Sequence, residues 1–521
     1  MSIQFSDIPA GLLSSPISHL LQGNYAKLYP RFGSDSINEA HKELAEAWGT
    51  EERNQLVLVL KQQLKSLTLT SKQQANLIAL ETNDGFTVVT GQQIHPFLGP
   101  AFVWAKVKTT ILKARELSEK LGKTVVPIFW MATEDHDFDE IARVPFLGKE
   151  YIWETPSGGP VGNLDTEGIA HILLKMQEDF QSDVRVMDFL KQFEGIYQKG
   201  ITLSDASRLL IHKVFGEEGL LIVDPNQVEW KHQTKDIWLR ELIEEPHTAL
   251  LEQSQLMKEV GLKPPITPRH TSMFYYGDGQ RLRIDRIDSG SFQTANSAFE
   301  WTIEDLQVEI NEFPERFSAN ALLRPAYQQR ILPNLLYIGG PAECIYWLQV
   351  PALIRVHNGI VPALQLRLLM HLSMPAIEKK ITAFSWPKED WFLSENELLK
   401  KLMSQEYGNL SLTQQIPLLK AQFEQIWESL YQIKHPKLKE IKNEHEAVIR
   451  SLQHTADEFL KEGFDAHVAP KIKQLKTLKS TVFNEKSPQE RTLFWMEWAF
   501  KLNGFPDVDK LQGPYLWLTS N

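Results

Sequence analysis

Apolar and polar positions along the chain fall into three regimes. Residues 1–80 carry helical spacing, clearest in "INEAHKELAEAWG" and "RNQLVLVLKQQLKSL". From about 86 to 367, short continuous apolar runs bounded by turn residues take over. They are "FTVVTG" (86–91), "TVVPIFWMA" (124–132), "GLLIVDP" (219–225), "NLLYIGGP" (334–341) and "GIVPALQLR" (359–367). Continuous rather than alternating runs predict parallel strands covered on both faces. The stretch "GPAFVWAKVKTTILKARELSEKLG" joins the first two runs as a helix that stops at Gly122, so this part reads as a βαβ unit with a right-handed crossover. From about 386 the chain turns rich in Leu, Lys, Glu and Gln. Ile416, Leu419, Phe423, Ile426, Leu430 and Ile433 are spaced alternately by three and four. His435 and Pro436 interrupt the pattern, which resumes at Leu438, Ile441, His445, Val448, Leu452, Thr455 and Phe459. This heptad seam predicts an antiparallel coiled-coil hairpin, serving either as a bundle or as a dimerisation arm.

The predicted organisation is an α/β core over residues 1–385, an α-helical coiled-coil domain over 386–485, and a segment 486–521. Within that last segment "SPQERTLFWMEWAFKLNG" packs back as a helix. Two intervals, about 143–205 and 226–320, are too long for plain crossovers and read as insertions in one parallel sheet. The second contains "SMFYYGDGQRLRI", a β-hairpin with Gly-Asp-Gly at its turn.

Composition narrows the class. With 521 residues, 42% of them hydrophobic, the chain has material for a large core and more than one domain. Its one cysteine, Cys344, excludes an internal disulfide and fits a reducing compartment. No charge-free run of about 18 apolar residues offers a membrane span, and the start lacks a basic segment followed by an apolar one, so the expectation is a cytoplasmic protein without a membrane role. The net charge of −11 argues against a nucleic-acid partner.

In an open parallel sheet, ligands bind beyond the carboxyl ends of the strands. Polar and glycine residues gather there in all five runs. After the first come Thr90, Gly91, Gln92 and Gln93, then His95 and Gly99; after the second comes "TEDHDFDE" with Glu134, Asp135, His136 and Asp137. After the third comes Asp224; after the fourth, Gly339, Gly340, Pro341 and Glu343, with Tyr346 beyond; after the fifth, Gln365 and Arg367. A glycine-bearing loop at a helix N-terminus suits a phosphate or carboxylate, and Lys106, two turns into the helix, could reach one. The spacing is neither the dinucleotide fingerprint nor the P-loop. The acidic cluster with its histidine could bind an amine and move protons, or bind a metal, or be spent on caps and salt bridges. Arg316, Ser318, Asn320 and Arg324 precede the fourth run, where two arginines suit carboxylates. Cys344 lies among apolar neighbours and reads as an inert buried thiol.

Taken in order, "TGQQ" followed by Gly99-Pro100 and Lys106, "PIFWMATEDHDFDE", "GLLIVDPN", "PERFSANALLRPAYQQRILPNLLYIGGPAECIYW" and the late "PQER" resemble one family over most of the chain: the bacillithiol biosynthesis cysteine-adding enzymes, or cysteine ligases. The resemblance implies a Rossmann-like core similar to class I aminoacyl-tRNA synthetases, two connecting insertions, and a coiled coil that makes a homodimer. It implies amide formation between L-cysteine and glucosaminyl-malate, with ATP as the candidate for activating the cysteine carboxyl. On that expectation Glu134, Asp135, His136 and Asp137 handle the amine. Residues 90–93, Gly99 and Lys106 hold an anionic group, and Arg316, Ser318, Asn320, Arg324, Gly339, Gly340, Glu343 and Tyr346 bind the rest. No metal is expected. The chain departs from the family pattern at His95-Pro96, at Ala342 after Gly-Gly-Pro, and at Cys344, where the family is commonly aliphatic. The synthetase signature motifs are absent, which with the negative charge argues against a tRNA-binding enzyme. The alternatives are a metal-dependent hydrolase using the acidic cluster, and a non-catalytic nucleotide-binding scaffold.

Overall fold

The computed structural model describes residues 2–3, 13–33, 36–82, 85–156, 159–244, 246–288, 290–407, 412–431, 437–462, 468–482, 488–504 and 515–519. The chain divides into two compact units. One is built mainly from Ser14–Leu372 and takes in the C-terminal stretch from Glu490; the other is built mainly from Ser373–Gln489.

The five continuous apolar runs become the five strands of one sheet: β1 Gly85–Gln93, β2 Thr124–Ala132, β3 Leu221–Val223, β4 Asn334–Gly339 and β5 Ala363–Leu366. Their order across the sheet is β5-β4-β1-β2-β3, with every neighbouring pair parallel. Read from the other edge this is 3-2-1-4-5, the doubly wound order of a Rossmann-like fold, and the order reverses between β1 and β4. Both faces are covered, which is why Phe86, Val88, Val89, Val126, Ile128, Trp130, Leu336 and Ile338 are all buried. Helix α1 (Ala101–Leu121) lays Trp104, Val107, Ile111, Ala114 and Leu117 against the sheet and stops at Gly122, whose φ of +62° is left-handed. The strand β1 runs two residues past the C-terminal end of the apolar run. Gln92 and Gln93 pair in register with Met131 and Ala132, so they are strand residues and not a turn.

The first insertion holds the hairpin Arg143–Phe146/Lys149–Ile152 and the helices Glu167–Asp179 and Val184–Leu190. The second starts with α2 (Val228–Gln233) and two further helices, Lys235–Ile243 and His247–Glu259. It then forms an antiparallel sheet in the order Glu300–Thr302, Ser291–Thr294, Gln280–Arg286, Met273–Gly277, Phe317–Ala319. The predicted hairpin is its centre: Gly277 pairs with Gln280 across a two-residue turn, Asp278 and Gly279, whose φ angles of +52° and +72° match the strand twist. The chain then enters α3 (Arg324–Ile331), β4 and α4 (Pro341–Tyr346).

In the second unit, α5 (Leu412–Tyr431) and α6 (Leu438–Glu462) pack as a helical hairpin. Ile416 and Ile449 are buried in it with Phe423 packed partly buried against them, and His445 sits with its ring 5.0 Å from Phe423 and 5.5 Å from Trp427. The heptad seam is only partly used inside the hairpin. Leu419, Ile426, Ile441, Val448 and Leu452 are exposed, while Trp427 and Ile449, outside the predicted seam, are buried. Two helices crossing once can bury only one stripe each. Ile433, His435 and Pro436 lie outside the described residues, as does the Phe459 side chain.

Candidate active site

The sheet order reverses between β1 and β4, and charged side chains converge there. Gly91 ends the apolar part of β1. A Cβ at this position would stand 3.3 Å from the Tyr337 hydroxyl and 3.5 Å from Arg324 Nη1, so glycine lets the strand lie directly against them. Lys106, fully buried on α1, donates to the Gly91 carbonyl and to Gln92 Oε1 (3.1 Å), and forms an ion pair with Glu343. Burial pushes the Lys106 pKa down, and Glu343 opposes that shift. Burial pushes the Glu343 carboxyl up, but the Lys106 ammonium and the Gly340 N–H outweigh it and hold it below the ordinary value. Glu343 caps α4 by accepting from Gly340 N (2.8 Å), which fixes the Gly-Gly-Pro turn, and its other oxygen accepts from Tyr337 (2.9 Å).

Arg324, the first residue of α3, donates to Gln328 Oε1 (3.2 Å) and to the hydroxyls of Tyr337 (3.3 Å) and Tyr346 (3.2 Å). All three partners are neutral, and no carboxylate among the described residues is in ion-pair contact with this guanidinium. Lys106 therefore takes Glu343 while Arg324 is left with neutral partners, which suits an incoming anion.

The segment after β2 supplies the opposite wall. The side chains of Glu134, Asp135, His136 and Asp137 diverge instead of sharing one centre. Glu134 turns inward onto the fully buried Lys231 of α2, which also donates to the Phe317 carbonyl (2.7 Å) and lies over the rings of Trp238 and Tyr327. Asp135 lies 3.5 Å from Arg281 Nη1 and keeps a partly exposed carboxyl. Burial raises its pKa and Glu134 adds to that, while Arg281 and Arg324 oppose it, so Asp135 also feels the charge in the crevice. His136 Nδ1 is 3.4 Å from the same Arg281 nitrogen, and its Nε2 is 3.9 Å from Asp137 Oδ1. Arg281 is held by Ser318 Oγ (3.0 Å), by the Ala319 carbonyl (2.7 Å) and by the face of Phe274 at 4.1 Å. Gln93 joins the two walls by donating to the Asp137 carbonyl (3.2 Å).

Other predicted residues have different work. Thr90 donates to the Ile338 carbonyl (2.8 Å), stitching β1 to β4. Ser318 is a buried support for Arg281, and Asn320 caps the approach to α3 by accepting from Leu322 N and Leu323 N. Arg316 faces away: it pairs with Glu309 at 2.7 Å and stacks on Phe313. It is a surface ion pair and not a crevice cation. Nor is the start of α1 an open anion cradle. Ala101 N donates to the Leu493 carbonyl (2.8 Å), Trp495 N donates to the Gly99 carbonyl (3.0 Å), and Gly99 serves the tight turn beside His95. Burial pushes His95 down to about 4, so it is a neutral imidazole. The Cys344 thiol is buried and its pKa is pushed up, as an inert thiol requires.

Sequence reading missed Arg281, Lys231 and Tyr337 as parts of this site. The Gly-Asp-Gly turn was the one available signal for Arg281, since it projects the residue from the hairpin's tip. The "PQER" stretch acts through Glu490, which makes a two-pronged ion pair with the buried Arg367 and accepts from Met370 N, fastening the C-terminal segment to the end of β5.

Fold and site together define a Rossmann-like protein with a cationic crevice at its switch point, faced by a carboxylate–histidine wall. Residues 17–368 match the family described as bacillithiol biosynthesis BshC, N-terminal Rossmann-like domain, and the chain belongs to that family. It is 31% identical over 481 residues to the protein named "Putative cysteine ligase BshC" from Christiangramia forsetii, covering 90% of this chain and 89% of that one. The protein of the same name from Flavobacterium johnsoniae is 30% identical over 470 residues, covering 89% and 88%.

Proposed function

We propose that this chain is a cytoplasmic ligase that joins the carboxyl of L-cysteine to the amine of glucosaminyl-malate, the last step of bacillithiol biosynthesis. The observation that supports it most is Arg324, a partly buried guanidinium with only neutral partners at the switch point. Keeping a cation out of water without an anion is costly, and a substrate carboxylate removes the cost. The malate moiety carries two. On the facing wall Asp135 accepts a proton from the substrate ammonium. The freed lone pair attacks the activated cysteine carboxyl carbon and a C–N bond forms; the C–O bond to the activating group breaks, that group leaves with the bonding pair, and the nitrogen gives its second proton to solvent. A positioned base contributes roughly 100- to 10,000-fold, and holding the two substrates together contributes more through orientation.

A free carboxylate is a poor acyl donor, and ATP is our candidate for activating it. The start of α1, where such folds usually hold phosphates, is occupied by Leu493, so no step is assigned to residues there. We also propose that two copies pair through the exposed stripe of the α5–α6 hairpin.

The test is mass spectrometry of thiol products from purified protein with cysteine and glucosaminyl-malate, with and without ATP. Arg324→Ala is expected to raise KM for glucosaminyl-malate about 10- to 100-fold, the worth of one or two charge-assisted hydrogen bonds, with Arg324→Lys intermediate. An unchanged KM would remove Arg324 from the substrate site. No product under any condition from folded wild-type protein would refute the ligase reading.

A further inference from the structure

Asp135 and His136 are adjacent in sequence, and either could be the base in the reaction proposed above. The geometry around Arg281 separates their roles. A guanidinium has donors and no acceptor. Arg281 Nη1 points at His136 Nδ1 at 3.4 Å, so Nδ1 must be the unprotonated nitrogen and the ring proton must sit on Nε2. Arg281 has no freedom to turn away. Its Nε is held by Ser318, its Nη2 by the Ala319 carbonyl, and its plane by Phe274. Asp135 Oδ1 lies 3.5 Å from the same Nη1, at ion-pair distance, and a carboxylate there can only accept. The Asp137 carboxylate is 3.9 Å from Nε2, too far to take the Nε2 hydrogen.

We propose that Arg281 is a positioning residue that sets His136 as the Nε2–H tautomer, so that His136 is a hydrogen-bond donor to an oxygen of the acyl group and Asp135 alone is the proton acceptor. The inference rests on the ligase reading for the identity of that oxygen, but not for the tautomer. In the step itself, the ammonium proton passes to Asp135, the nitrogen lone pair forms the C–N bond, and negative charge developing on the acyl oxygen is met by the His136 Nε2–H; as the carbonyl re-forms, the C–O bond to the activating group breaks, that group leaves with the bonding pair, and the nitrogen loses its second proton to solvent. Removing one such donor from an acyl-transfer site costs roughly 100- to 1,000-fold in kcat.

The test is 15N NMR of histidine-labelled full-length protein, with the His136 signals assigned by their loss in His136→Asn. The expected wild-type spectrum has a protonated Nε2 and an unprotonated, hydrogen-bonded Nδ1. In Arg281→Met the Nδ1 signal is expected to lose its hydrogen-bond shift and the ring to exchange between tautomers, while Arg281→Lys retains the wild-type pattern in part. Where product is measurable, Arg281→Met is expected to lower kcat about 100-fold, the cost of misplacing a reacting group, with a smaller change in KM. A proton on Nδ1 in the wild type, or a tautomer unaffected by Arg281→Met, would overturn the proposal. If Arg281→Met fails to fold, the wild-type and Arg281→Lys spectra still decide. Absence of thiol product alongside the expected tautomer would instead fault the ligase reading alone.

Discussion

Glu134 and Lys231 show how little a residue's type says about its task. Glu134 belongs to the most chemically suggestive stretch of the sequence, yet its carboxylate is spent on a lysine that the structure buries completely. Removing one member of a buried pair strands the other charge, so Lys231→Met is expected to destabilise the protein by about 3–5 kcal/mol. Changing both, as Lys231→Met with Glu134→Leu, should recover most of it; urea unfolding measures both, and equal losses in the single and double variants would contradict the pair. Asp135 is the opposite case. Its pKa is raised, so the folded state holds that proton more tightly than the unfolded chain does. Its contribution to stability is therefore present below the unfolded value and lost as pH rises through the folded one. Asp135→Asn should thus raise Tm at neutral pH while lowering turnover roughly 100- to 10,000-fold. The acid limb of the wild-type pH–rate profile should lie above the ordinary aspartate range and disappear in the variant; a Tm that falls would show the carboxylate to be structural. The residue types of the site were legible in the sequence, but the pairings were not. Arg281 and His136 are separated by 145 residues, and no local pattern connects them.

At the scale of elements, runs and turns were the legible features. Each continuous apolar run became a sheet strand because burial on both faces demands apolar side chains on both. The boundary at Gln92 and Gln93 was misread because polar side chains at a strand's end look like a loop; pairing with β2 decides, and a single segment does not contain it. Two glycines flanking α1 separate local from tertiary demand. Gly99 has φ +72°, and a Cβ there would lie 2.7 Å from His95 Cβ; Gly122 has φ +62° with nothing within 4 Å. Gly122→Ala should cost about 1–2 kcal/mol, the left-handed penalty. Gly99→Ala should cost more, since the packed loop must also move; thermal unfolding of both compares them directly, and equal losses would show that the loop yields freely.

For the whole molecule, the outward stripe of the helical hairpin is the feature with the widest consequence. Ile426 and Val448 are 51% and 55% exposed, more than a lone hairpin should leave to water along one seam. The paired change Ile426→Glu and Val448→Glu should convert a dimer to a monomer in analytical ultracentrifugation without loss of helix content by circular dichroism; a wild-type monomer at micromolar concentration would end the dimer proposal. The sequence by itself determined the class of fold, the five strands, the hairpin that carries Arg281, and the chemistry available at the strand ends, because period, turn residues and side-chain type act locally. Only the tertiary structure decided that Arg324 and not Arg316 reaches the crevice, that Glu134 is neutralised, that Leu493 closes the start of α1, and that Arg281 sits against Asp135 and His136. Each of those depends on which distant segments meet, and a charge's role is set by the partner that the fold brings within hydrogen-bonding distance.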